Sequence, residues 1–162
     1  MGRKYSIVFS DITVSAAKTL VFIRPPATGL KEIAICKCEI GFKENATSAQ
    51  CRVQLVTQVT AFPTLTAATP QPLDLGMPVS LITGGTAGAA GTAGIAASAE
   101  GAGAKTVRYE SAFNHLSGWI WVAAPDEEIV IPVNSGSGFG LYLPDTPGTA
   151  DGWSGTVIFE ER

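Results

Sequence analysis

The stretch Glu127–Leu143, EEIVIPVNSGSGFGLYL, constrains the fold of this chain more than any other. Ile129 and Ile131 alternate with Val130 and Pro132, a Ser/Gly tract follows, and Phe139, Leu141 and Leu143 resume a period of two. That period puts successive side chains on opposite faces of a strand, so two such runs joined by small turn residues predict a β-hairpin. Pro132 has no N–H to give to a ladder and marks an edge or a strand end. Gly136, Gly138 and Gly140 are expected to serve a close-packed turn rather than a phosphate or substrate loop.

The same periodicity recurs along the chain. Tyr5, Ile7 and Phe9 alternate with Ser6, Val8 and Ser10, and Leu20–Ile23 is a short strand stopped by Arg24-Pro25-Pro26. Lys31–Phe42 is a long strand with Ile33 and Ile35 on one face and Ala34, Cys36, Cys38, Ile40 and Phe42 on the other. The polar stretch Lys43–Gln50 separates it from Cys51–Val59, so these two are expected to pair as antiparallel neighbours. Val107–Phe113, Trp119–Val122 and Thr156–Phe159 complete the set, with Glu160-Glu161-Arg162 as a charged edge guard. Eight or nine short strands, with no helical periodicity beyond a turn or two, predict an all-β, antiparallel two-sheet β-sandwich. A jelly roll is favoured over an immunoglobulin-like arrangement because the strands are uneven and long loops interrupt them.

At 162 residues the chain fits one domain, 1–162. Two stretches stand outside the strand pattern. Ala61–Pro78 carries prolines at 63, 70, 72 and 78 and reads as an extended irregular segment, of the kind that is functional, flexible or held by a neighbour. Gly84–Lys105 reads as a low-complexity loop inserted within the sandwich, since sixteen of the twenty-one residues from Gly84 to Ala104 are glycine or alanine. Such a tract lacks the apolar stripe of a packed element. The alternative is an arm laid across a neighbouring subunit.

Composition and motifs narrow the function. A net charge of −3 with no basic run beyond Arg3-Lys4 argues against nucleic acid as the main partner. No apolar run reaches membrane-spanning length, and the N-terminal stretch lacks the apolar region of a secretory signal, so a cytoplasmic origin is expected. Gly2 and Ser6 fit a myristoylation pattern, but a strand from Tyr5 leaves no free arm. Asn45-Ala46-Thr47 is read as a polar loop rather than a glycan acceptor. Cys36, Cys38 and Cys51 are an odd set for disulfides and are expected to face inward as small hydrophobes. Asp145 and Asp151 lack the spacing of an EF-hand calcium loop, and Gly103-Ala104-Lys105-Thr106 lacks the Gly-Lys adjacency of a phosphate loop. His115, the single histidine, sits in a turn and is read as solvated; Asp126, Glu127 and Glu128 form a solvated turn. No catalytic residue, cofactor site or metal site is predicted. Charged residues make up 15% of the chain against roughly 25% in an average domain. Either the Gly/Ala tract dilutes the charge or neighbouring subunits cover part of the surface.

Trp119 and Trp121 share a strand face and, with Tyr142 and Trp153, are candidate interface or stacking residues. Large rings at such positions serve a core or a subunit interface, and alternatively a ligand platform.

The strand YSIVF, the segment IRPPATGLKEI, the stretch EEIVIPVNSGSGFGLYL and the terminal WSGTVIFEER resemble the small jelly-roll head decoration (cement) proteins of tailed bacteriophages. The resemblance covers the first forty residues and roughly the last forty, and leaves out the Gly/Ala-rich middle. It implies a homo-oligomer, trimeric or otherwise symmetric, assembled in the host cytoplasm and carried on the outside of the virion. There it would strengthen contacts between subunits of the major capsid protein. It carries over no active-site residues. The competing reading is a carbohydrate- or receptor-binding sandwich of a phage tail or fibre. Two or more of the four rings on one accessible face would favour it, and their burial would favour cement.

Overall fold

The computed structural model describes residues 2–43, 48–148 and 152–162. In chain order the strands are β1 (Arg3–Ile12), β2 (Lys18–Ile23), β3 (Glu32–Phe42), β4 (Gln50–Val59), β5 (Thr64–Ala67), β6 (Gln71–Pro72) and β7 (Thr83–Gly84). They continue with β8 (Thr92–Ala99), β9 (Lys105–Asn114), β10 (Trp119–Val122), β11 (Ile129–Pro132), β12 (Ser137–Leu143) and β13 (Trp153–Glu161). One sheet runs β10-β3-β13-β1-β6, with β11 also on β3; the other runs β5-β8-β2-β12-β4-β9, with β7 on β8. We call them sheets A and B.

The order is that of a jelly roll. Leaving aside the inserted strands β5 to β8, β1, β13, β3 and β10/β11 form one layer and β2, β12, β4 and β9 the other. Consecutive framework strands therefore lie in opposite sheets, except β4 and β9. Tyr5, Ile7, Phe9, Ile33, Ile35, Val157 and Phe159 from sheet A meet Val21, Ile23, Val53, Leu55, Phe139 and Leu141 from sheet B in one buried core. Most of these strands contribute alternate residues to that core, while β2 adds the consecutive pair Leu20 and Val21.

This topology corrects two expected pairings. The Glu127–Leu143 stretch is not a hairpin: β11 pairs with β3 in sheet A, while β12 lies between β2 and β4 in sheet B. The intervening turn, with Asn134 at φ 61° and Gly136 at φ 69°, carries the chain from one layer to the other. Likewise β3 and β4 lie in opposite sheets rather than side by side.

Gly138 and Gly140 lie within strand β12 rather than in the expected turn. They lie on the outer face of sheet B, where a Cβ on Gly138 would stand 2.3 Å from Cζ of Phe22 and one on Gly140 would stand 3.0 Å from Cγ2 of Val56. The absence of side chains makes room for a second, smaller cluster of Phe22, Leu65 and Ala97, with Phe62 against it.

The Gly/Ala-rich segment is the third correction, because Thr92–Ala99 is strand β8, paired with β2, β5 and β7. Backbone ladders rather than an apolar stripe hold it, and its small residues are a packing requirement. A Cβ on Gly94 would lie 2.6 Å from Cβ of Leu65 and 2.9 Å from the Thr66 carbonyl oxygen.

Local irregularities reset the alternation. In β3 the register against β13 shifts between the pairs Ile158↔Lys37 and Phe159↔Ile35, leaving Cys36 as the extra residue of a bulge. Ile33, Ile35, Cys38 and Ile40 consequently share the core face, and Cys36 is half-buried on the other side, contrary to the inward position expected for all three thiols. Burial raises the pKa of each of the three cysteines, so the thiolate form is disfavoured.

β13 is a central strand, flanked by β1 and β3, so the expected edge guard does not hold; Glu160 and Glu161 are buried. His115 is buried as well, 5.1 Å from the Phe42 ring and 6.4 Å from that of Trp153, not solvated in a turn. Its β9–β10 connection crosses between sheets, which turns the ring into the end of the sandwich. Asn45 and Asp151 lie outside the described residues.

Candidate functional site

The four aromatic candidates divide into a seam and an outlier. Trp119 and Trp121 on β10 turn toward sheet B, with ring centroids 6.3 and 6.1 Å from Tyr109 on β9. Phe113 links Trp119, at 6.5 Å, to Trp153, at 6.4 Å. Trp153 in turn meets Phe42 edge-on at 5.2 Å. These rings close the gap between the free-edge strands of the two layers, and Trp153 is fully buried. Tyr142 stands apart on the outer face of sheet B, beneath the Lys105 ammonium at 4.8 Å. The structure therefore does not bring the four rings together on one accessible face.

The more distinctive surface is an arm, residues 73–82, that runs from β6 at the edge of sheet A to β7 in sheet B. Buried polar contacts fix it. Tyr5 Oη donates to the Pro78 carbonyl at 3.0 Å, and Glu161 accepts from Ser80 Oγ at 2.5 Å and from the Leu81 amide at 3.0 Å. Ser80 Oγ accepts from the Ile82 amide at 2.9 Å, and the Leu73 amide donates to the Lys4 carbonyl at 3.1 Å. An Asp74 turn, in which the Gly76 amide donates to Asp74 Oδ1 at 2.9 Å, shapes its tip.

The usual distribution is inverted along this arm. Ser80 and its carboxylate partner are buried, whereas Leu75 is 99% and Val79 81% exposed, with Leu73 and Leu81 about half exposed. Apolar side chains held out on a hydrogen-bonded backbone make this arm the candidate site of the molecule. A cleft of about 590 Å³ on one side is lined by Gly2, Arg3, Gly29, Leu30, Leu81, Glu160, Glu161 and Arg162. Within the expected irregular segment 61–78 lie β5, β6 and the start of this arm. The available signal was the alternation Leu73, Leu75, Met77, Val79, Leu81, which continues past Pro78 with apolar residues too far apart from the core strands to belong to them.

The base of the arm carries an ionic cluster. Arg162 reaches Glu160 at 2.9 Å and Glu128 at 3.1 Å, with Glu32 at 3.8 Å, and the Gly2 amide nitrogen donates to Glu160 Oε1 at 2.7 Å. Burial pushes the Glu160 carboxyl up, but the bonds from Arg162 and Gly2 and the charges of Arg162 and Lys4 outweigh it and hold the pKa below the usual range. Glu128 is held low by its own backbone N–H and by Arg162. Burial, and then the Glu161 charge, raises the Tyr5 phenol.

A carboxyl with a depressed folded-state pKa stabilises the fold above its unfolded value, and that contribution is lost as pH falls through the folded value. Between pH 7 and 3, wild-type protein should therefore lose more thermal stability than Arg162→Met, the difference opening below about 4.5. Parallel melting-temperature profiles for the two would show that the cluster contributes nothing. Asp145 is engaged in a two-pronged pair with Arg52 at 2.6 and 2.7 Å.

Compared with protein-family models, curated proteins and solved structures, the chain matches none.

Proposed function

We propose that this is a structural virion protein that binds the outside of a phage capsid as a symmetric oligomer and cements neighbouring major capsid subunits. One observation carries the reading beyond the sequence resemblance: the pinned arm that holds Leu75 and Val79 in solvent. A cement protein must bury apolar surface on a partner without rearranging, and preorganisation lowers the entropic cost of doing so. The β-sandwich supplies a rigid body for that arm. The reading assigns the protein no reaction. The carbohydrate-binding alternative would rest on Trp119 and Trp121 alone, which share a face but are half-buried against Tyr109 and Phe113; Trp153 is buried and Tyr142 faces away from that seam.

The test is co-sedimentation with purified capsids, followed by heat release of their contents with and without the protein. Binding and a raised release temperature are expected; failure to co-sediment at saturating concentration rejects the proposal. Leu75→Asp/Val79→Asp should weaken capsid binding by about 100-fold, because loss of two anchors at a contact centre removes roughly 2–3 kcal/mol or more. Its melting temperature should stay close to wild type, since neither side chain packs in the monomer. Unchanged binding would place the contact elsewhere on the molecule.

A further inference from the structure

Among the described residues, no further strand packs over the outer face of sheet A. Two rows of residues cross it through β1, β13, β3 and β10. The register gives them as Val8, Thr156, Glu39, Ile120 and as Ser6, Ile158, Lys37, Val122. Val8 is 62%, Ile120 59% and Val122 62% exposed, although β-branched side chains of this size are costly to leave in water. The only two charges in the rows, Lys37 and Glu39, pair with each other at 2.6 Å on the central part of the face.

We infer that this face is a two-fold contact between two copies of the chain. The geometry is specific. Place a two-fold axis in the plane between two such faces, running across the strands at the level of Cys38. Strand β3 then lies antiparallel over its counterpart, within the modest angle at which twisted sheets pack. The axis exchanges the two rows. Ile120 meets Val122 of the second copy, Thr156 meets Ile158, Val8 meets Ser6, and Lys37 meets Glu39. Each apolar residue finds an apolar or small partner, and each charge finds its opposite twice over. An axis running along the strands through β3 would instead set Lys37 on Lys37 and Glu39 on Glu39, so the charge pattern selects one of the two arrangements. The Cys36 bulge contributes to this result: by resetting the alternation of β3 it puts Lys37 and Glu39, rather than Cys38, on the outer face.

This contact goes beyond the capsid reading and does not rest on it. Light scattering after gel filtration of the full chain, without capsids, tests it. Wild type is expected at twice the 16.8 kDa chain mass at concentrations up to about 100 µM. Lys37→Glu and Glu39→Lys each place like charges across the axis and should weaken association by about ten-fold or more. An equimolar mixture of the two variants opposes two glutamates to two lysines and should recover the two-chain mass. Val122→Asp, at an exposed position that leaves the core untouched, should also weaken association in the wild-type background. A single-chain mass for wild type throughout, charge variants that associate as well as wild type, or a mixture that fails to recover would each overturn the contact. A three-chain mass unchanged by both charge variants would overturn it too, while leaving the capsid proposal standing.

Discussion

Trp153→Ala is expected to cost about 3–5 kcal/mol, the range for removing a fully buried large aromatic side chain. For a chain of this length that corresponds to a fall in Tm on the order of 10 °C. The ring does more than fill space. It meets Phe42 at 5.2 Å, Phe113 at 6.4 Å and His115 at 6.4 Å, so its loss opens a cavity where three segments from both layers converge. His115 makes the site hard to repair, since neither ring nitrogen has a hydrogen-bond partner among the described residues. Water entering the cavity would bring that imidazole a partner while wetting the core, and the sandwich end should loosen first. Tyr142→Ala, on the outer face, should cost under about 1 kcal/mol. Urea unfolding followed by circular dichroism measures both; a Trp153→Ala loss below about 1 kcal/mol would show that the aromatic seam does not hold the sheets together.

Gly138→Ala is the second large effect, and its interest lies in what reverses it. The new methyl group would stand 2.3 Å from Phe22 Cζ and 2.6 Å from Cε1, on a strand hydrogen-bonded on both sides and so unable to retreat. Overpacking of this kind costs about 1–3 kcal/mol. In a Phe22→Leu background the obstructing ring atoms are gone, and the same substitution should cost much less, with the Ile23 carbonyl oxygen at 3.1 Å the tight contact that remains. The double-mutant cycle should therefore return a coupling of about 1–3 kcal/mol. Additive losses would mean that Gly138 is required by its backbone and not by Phe22.

How much of this was legible in the sequence follows from which forces act locally. Period-two alternation at Tyr5–Phe9 and Phe139–Leu143 revealed the strands, because apolar residues of one parity face the core whatever the partner; Val107–Phe113 carries the same alternation although only Phe113 is buried. Pairing is a long-range property. A short turn after Pro132 reads as a hairpin, yet in a jelly roll consecutive strands belong to opposite layers, and nothing within Glu127–Leu143 records that. Parity fails for a related reason: one extra residue at Cys36 inverts the facing of half of β3, and a bulge leaves no compositional mark there. The strand Thr92–Ala99 was hidden because its residues answer to the close approach of β5 rather than to an apolar stripe. Among the candidate aromatics the tandem spacing of Trp119 and Trp121 did put them on one face, but which sheet they turned toward depended on the crossover before them. The apolar arm could have been found from its alternation alone. Its pinning by Tyr5 and Glu161, residues from the first and last strands, could not.

The central place of β13 has a consequence in time. Its two neighbours, β1 and β3, precede it by more than a hundred residues, and the bond from the Gly2 amide nitrogen to Glu160 spans 158 positions. On a ribosome, both edges that β13 will occupy are made early and stay open while every strand of sheet B except β2 is synthesised. Loop closure over such separations makes the last docking step slow, and unpaired edges of that length are templates for association with another nascent chain. Sheet A is thus completed only when β13 slides between two strands that have been waiting, so the yield of the native sandwich is decided at that step.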